Sequence, residues 1–255
     1  MTERIQEKLT ELEAERGIRI LYACESGSRA WGFASADSDF DVRFIYAWPK
    51  EQYLAVLPPD EHIERGVDSE NFDLAGWDLR KSLRLFQRSN AVVFEWLHSP
   101  LVYRDKTKVT SVWRDLAVDY FVPAAAAAHY AGLCKKMWLG AIEQGNVTAK
   151  KYLYGLRAYF SLRWILEKRE LVPVAFAELR SGLEIEPELN ATIDALIAAK
   201  SAEVEKAAIE RIPIFDHLLE HERGQLEEQI ATLPDECGEL VRLDKLFRQV
   251  LSDGF

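Results

Sequence analysis

Asp39 and Asp41 are separated by one residue and follow a Gly27-Ser28 pair after ten intervening residues, in the stretch SGSRAWGFASADSDFDVRF (26–44). Residues two apart on a strand project to the same side, so these carboxylates can be presented together, and without a cation that face repels itself. Mg²⁺ prefers oxygen ligands and usually takes one or two protein carboxylates alongside substrate phosphates. A carboxylate pair on a strand edge therefore suits a metal–nucleotide site; taken bare, the same pair also reads as an exposed strand face or an Asp-rich turn. Gly27-Ser28 adds to the first reading, because a turn between a buried strand and a short helix offers backbone N–H groups and a hydroxyl to phosphate oxygens. Arg29 follows that turn and is a candidate phosphate contact. Arg43 shares the parity of the aspartates and reads either as a phosphate ligand or as their counter-ion. Ser38 reads as a phosphate contact or a turn cap, and Asp37 as turn chemistry. Ser28 has no nearby His and no GxSxG surroundings, which argues against a covalent nucleophile.

The elements that must position these groups follow from periodicity. MTERIQEKLTELEAERG reads as an amphipathic helix capped by Thr2 and stopped by Gly17, and IRILYAC (18–24) as a buried strand. DFDVRFIY (39–46) alternates, with Phe40, Val42 and Phe44 on one face and Asp39, Asp41 and Arg43 on the other. NFDLAG (71–76) predicts another strand with Asp73 outward, and Leu79, Leu83 and Phe86 predict a helix that stops at Asn90. The order helix, strand, turn, strand, strand, helix is an α/β arrangement. From Pro123 the pattern turns helical, with breaks near Pro173, Pro187, Pro213 and Pro234, so a domain boundary is expected near residue 122. Lys150, Tyr154 and Arg157 share one helix face by spacing, and suit either a nucleotide held by charge and an aromatic ring or a solvated basic face. His129 and Lys136 share a face of the preceding helix. His217 and His221 lack the HExxH order and read as a solvated face, and Trp31, Trp77, Trp96 and Trp164 as core or interface residues.

Three cysteines, Cys24, Cys134 and Cys237, fit neither a disulfide framework nor a CxxC zinc site, and a reducing cytoplasm is the expected compartment. No signal peptide or membrane-spanning run is expected. The net charge of −10 argues against a protein that coats nucleic acid. Its distribution is uneven: residues 170–255 carry −11, whereas residues 129–169 carry +6, which leaves room for a local anion site.

Gly27-Ser28, ten residues, then Asp39-x-Asp41 resembles the signature of the DNA polymerase β nucleotidyltransferase superfamily. GSRAWGFASADSDFDVRFIY and GWDLRKSLRLF…EWLHSP are similar to its bacterial and phage group, some of whose members accompany RNA-repair ligases. The resemblance implies an α+β fold: a nucleotidyltransferase palm with a mixed β-sheet flanked by helices (1–122), followed by an all-helical C-terminal domain (123–255). It implies an Mg²⁺-dependent enzyme, Mn²⁺ substituting, that transfers NMP from an NTP such as ATP to an acceptor hydroxyl and releases pyrophosphate. Two metal ions about 3.5 to 4 Å apart would be held by Asp39, Asp41 and a third carboxylate. Asp73 is the choice for the third and Asp78 the rival, the latter reading more readily as a helix N-cap. Gly27, Ser28, Arg29, Ser38, Arg43, Lys150, Tyr154 and Arg157 are the expected nucleotide contacts. An RNA 3′ end or tRNA-like hairpin is the expected acceptor; nucleotidylation of a protein and a non-catalytic nucleotide-binding module are the alternatives.

Overall fold

Ile5, Leu9 and Leu12 recur at helical spacing and are buried along one side of α1 (Thr2–Arg16), which Gly17 ends in the left-handed conformation at φ 64°. Thr2 is the first helical residue rather than the cap: Met1 occupies the cap position and no side chain bonds the free N–H groups there. The structure, a computed structural model, describes residues 1–105, 109–145, 147–202 and 208–252. After α1 come β1 (Arg19–Glu25), α2 (Gly27–Trp31), β2 (Phe40–Ala47), α3 (Lys50–Tyr53), β3 (His62–Arg65), β4 (Phe72–Asp78), α4 (Leu79–Gln87), α5 (Ala91–Leu97), β5 (Val102–Asp105) and α6 (Val109–Tyr120). The helical part supplies α7 (Pro123–Met137), α8 (Ala149–Lys168), α9 (Phe176–Ser181), α10 (Pro187–Ala202), α11 (Pro213–His217) and α12 (Arg223–Gln229), and α13 (Leu240–Ser252) follows. Pro123, Pro187 and Pro213 each open a helix, where the missing proline N–H costs no internal bond.

The sheet order is β3-β4-β2-β1-β5, with β2 and β4 parallel and the other pairings antiparallel, so the sheet is mixed and the fold α+β. Val42, Phe44 and Tyr46 of β2 and Phe72 and Leu74 of β4 pack with the apolar stripe of α1. Strand side chains alternate, so Asp41, Arg43 and Asp73 are carried on the opposite face; a one-residue slip would bury them. Strands β3 and β5 are absent from the sequence reading, each being four residues long with a single buried position and no alternation to betray it. In β5 that position is an arginine, Arg104. Its Nη1 donates to Glu13 at 2.8 Å and its Nε to the Gln6 side chain at 3.0 Å, fastening β5 to α1. Arg104→Ala removes the cation paired with the partly buried Glu13, which keeps its bond from the Ile20 N–H, and is expected to cost about 2 kcal/mol, read as a lower urea midpoint with an unchanged slope.

Two compact units result. One comprises Met1–Ala30, Asp39–Tyr120 and Cys237–Phe255, the other Trp31–Ser38 and Phe121–Glu236. The single cut expected at residue 122 thus differs from the structure at both ends. The last helix belongs with the sheet, because Leu243, Leu246 and Val250 form a buried stripe and Phe247 meets the Tyr53 ring at 5.2 Å. Residues 31–38 belong with the helices, where the Trp31 and Phe33 rings pack on Tyr154 at 4.8 and 6.2 Å. Asn90, expected to stop α4, instead opens α5: its side chain accepts the Val92 N–H, and Ser89 at φ 52° makes the turn between them. No described helix is long and apolar enough to cross a membrane.

Candidate active site

β1 is buried from Ile20 to Glu25 and delivers the chain to Gly27, which adopts φ +59°. A Cβ built at Gly27 would lie 2.1 Å from Asp41 Oδ2, so glycine is required both by the backbone conformation and by the closeness of the carboxylate. Turn and carboxylate are therefore immediate neighbours. Ser28 is buried beside them. Asp39 stands just before β2, and Arg29 reaches back to it: Nε donates to the Asp39 carbonyl at 3.1 Å and the guanidinium lies 3.9 Å from the Phe40 ring centre.

Asp41 and Asp73 are direct partners in the parallel β2–β4 register. Arg43 lies between their carboxylates. Its Nη2 donates to Asp41 Oδ1 at 2.8 Å and to Asp73 Oδ2 at 2.7 Å, and its Nη1 to the Asp73 carbonyl at 2.8 Å and the Val42 carbonyl at 3.3 Å. All three side chains are partly buried, at 17, 25 and 24% exposure for Arg43, Asp41 and Asp73, so these bonds are less screened than surface pairs. Of the two sequence readings for Arg43, the structure displays the counter-ion.

The backbone of Asp41 is held on both sides. Its N–H donates to Glu25 Oε1 at 2.7 Å and its carbonyl accepts from Ser26 N–H at 2.9 Å. Glu25 is fully buried and also accepts the Tyr103 hydroxyl, while its carbonyl accepts from Ser99 Oγ at 2.7 Å. Burial pushes the Glu25 carboxyl above its usual range, against the downward pull of the Tyr103 hydroxyl and the Asp41 N–H. Glu25 and Tyr103 escaped the sequence reading. The available signal was a carboxylate closing an otherwise apolar strand directly before the Gly-Ser turn.

The remaining expected contacts fall elsewhere. Asp78 is the N-cap of α4, its Oδ1 accepting from Arg80 N–H at 2.8 Å and Lys81 N–H at 3.3 Å and its Oδ2 from the Tyr53 hydroxyl. Five residues beyond Asp73, it has the opposite strand parity and is buried. Asp78→Ala is expected to cost about 1 kcal/mol through the lost cap, measured by thermal melting. Ser38 is buried in its turn, accepting from Ser35 N–H at 3.0 Å and sharing a hydrogen bond with Ser35 Oγ at 2.9 Å; Asp37 is exposed beside it. On α8, Lys150 lies 5.8 Å from the Tyr154 ring centre, but Arg157 is buried, with its guanidinium 4.3 Å from the Trp31 ring and Nη2 donating to the Val174 carbonyl at 3.4 Å. The spacing put Arg157 with Lys150 and Tyr154, yet α8 is enclosed on nearly every side, so position on a face did not mean access. His129 packs edge-on to Tyr130, Lys136 is exposed, and the His217 and His221 side chains are both about 60% exposed.

Among the described residues no three His, Cys, Asp or Glu side chains converge to hold a metal ion. The donor set still fits Mg²⁺, which needs only one or two protein carboxylates when phosphates complete its shell. Asp41 and Asp73 already meet on a single cationic nitrogen, and their donors are oxygens throughout.

Residues 1–249 match the model of the RlaP family, described as the RNA repair pathway DNA polymerase beta family. The chain is 36% identical over 236 residues to "Uncharacterized protein YcgL" of Bacillus subtilis (strain 168), covering 92% of this chain and 90% of that protein. It also aligns with a nucleotidyltransferase-like protein from Exiguobacterium sibiricum 255-15 over 100% of this chain and 80% of that one, at 11% identity and a TM-score of 0.33.

Proposed function

This chain belongs to the RNA repair pathway DNA polymerase beta family, and from that premise we propose that it is a divalent-metal-dependent nucleotidyltransferase moving NMP from an NTP to an acceptor hydroxyl. The observation that carries the reading is the Asp41–Asp73 pair, in register on neighbouring strands with Asp41 directly against the Gly27 turn. Asp41, with Asp39 and Asp73, would hold Mg²⁺, which lowers the pKa of an attacking hydroxyl and neutralises charge on departing pyrophosphate. Gly27 and Ser28 present backbone N–H groups to the phosphates, and glycine is what lets them approach the carboxylates this closely. Arg29 is held on Asp39 and Phe40 with its charge beside the turn, and adds a cation there. Glu25, fixed by Tyr103, positions Asp41 through the backbone rather than touching substrate.

Ser38 and Arg157 are left out of this proposal because each is buried in contacts of its own. Lys150 and Tyr154 are proposed as a separate nucleotide contact carried by α8. An RNA 3′ end is the proposed acceptor, on two supports: the family's description and the +6 charge of residues 129–169. The test is incubation with Mg²⁺ and each labelled NTP, offering pooled small RNAs and total protein in parallel, beside an Asp39→Ala/Asp41→Ala control. Label in RNA with wild type alone supports the whole reading. Label in protein moves the acceptor, and label in neither, or equally with the control, overturns the enzyme reading.

A further inference from the structure

Two carboxylates on adjacent strands in direct register repel each other, and partial burial strengthens that repulsion. The chain offsets this internally by placing one guanidinium on both. Arg43 Nη2 is shared between Asp41 Oδ1 and Asp73 Oδ2, and Nη1 is anchored on two backbone carbonyls, so four hydrogen bonds fix the group in the space between the carboxylates. A divalent ion drawing on the same two oxygens meets a positive charge already in place. Resting on the metal–nucleotide reading above, we propose that Arg43 and the divalent ion are alternative occupants of the Asp41–Asp73 pair, and that the displaced guanidinium turns to the nucleotide's phosphates.

The consequence is thermodynamic coupling. A metal ion arriving alone must break the two Nη2 bonds to Asp41 and Asp73 and deprive the guanidinium of its carboxylate partners. A metal ion arriving with a nucleotide brings phosphate oxygens that suit the planar guanidinium fork, so the loss is made good. Metal and nucleotide then strengthen each other's binding by the same factor, as linkage requires. Arg43 is suited to this exchange of partners because it lies on the carboxylate face of β2, two residues from Asp41, and needs only side-chain rotation to change contacts.

Mn²⁺ serves as the probe, titrated calorimetrically with each of the four α,β-methylene NTP analogues and without any. Wild type is expected to bind Mn²⁺ weakly alone and about tenfold or more tightly with the accepted analogue, a coupling of ~1.4 kcal/mol. Arg43→Gln is expected to bind Mn²⁺ alone about tenfold more tightly than wild type and to lose most of the coupling. Arg43→Lys keeps the charge but loses the fork, and should fall between the two; it carries the test if the Gln variant does not fold. Mn²⁺ affinity in the folded variants no higher than in wild type, or coupling undiminished, overturns the exchange. Asp41→Asn/Asp73→Asn separates the two readings. If that double variant loses Mn²⁺ while Arg43→Gln gains nothing, only the exchange falls; if it binds Mn²⁺ as wild type does, the metal reading falls with it.

Discussion

Asp41→Asn is expected to reduce nucleotidyl transfer by about 10³-fold, the scale on which a charge-stabilising group contributes to such reactions, while leaving the protein folded. Both parts follow from how Asp41 is held. Its backbone is fixed by Glu25 and Ser26, and neither bond involves the side chain, so the amide can occupy the same place. The lost ion pair to Arg43 and the relieved repulsion with Asp73 oppose each other, and the net stability change should stay within about 1 kcal/mol. On the proposed reading, what disappears is the negative charge that would face Mg²⁺ and the reacting phosphate. Single-turnover transfer of a labelled NMP, with melting temperature as the folding control, measures both. Transfer by Asp41→Asn at the wild-type rate would remove the carboxylate pair from the mechanism. Asp73→Asn should behave in the same direction, whereas Asp78→Ala should move only the melting temperature, because Asp78 is spent on capping α4.

Gly27→Ala is expected to damage activity far more than stability. At φ +59° an alanine costs about 1–2 kcal/mol, a loss this fold should survive. Its methyl group, however, would stand 2.1 Å from Asp41 Oδ2, and the carboxylate is the atom group able to yield. On the proposed reading Asp41 would be a metal ligand, and moving such a group by about 1 Å is enough to cost about 10²-fold in rate. Separate determination of kcat and KM for the accepted NTP, set against the urea midpoint, distinguishes the two effects. A variant destabilised as expected but fully active would show that Asp41 has latitude in its position, and would count against the close packing of turn and carboxylate as a functional device.

Much of the candidate site was legible because it is local. Alternation alone placed Asp39, Asp41 and Arg43 opposite Phe40, Val42 and Phe44, and the Gly27-Ser28 turn follows from a buried strand meeting a glycine. Asp78 as a cap is equally local. Arg157 shows the limit of such reasoning, since helical spacing groups residues on a face but does not say whether the face is open. Residue Arg104 shows another limit: a short strand whose one buried side chain is charged leaves no apolar pattern to read. The last helix carried its stripe openly in Leu243, Leu246 and Val250, yet nothing local says which core will receive it.

The sequence by itself determined the elements around the site, the parity of the aspartates, the turn before them and the change to a helical second half, because each depends on side-chain and backbone preferences over a few residues. The tertiary structure decided which strands are neighbours. Only the parallel pairing of β2 with β4 sets Asp73 opposite Asp41, 32 residues away in the chain, and only that meeting explains why Arg43 lies where it does. Strand order is chosen by which faces together bury the apolar stripes of the chain, a property of the assembled core that no short stretch contains.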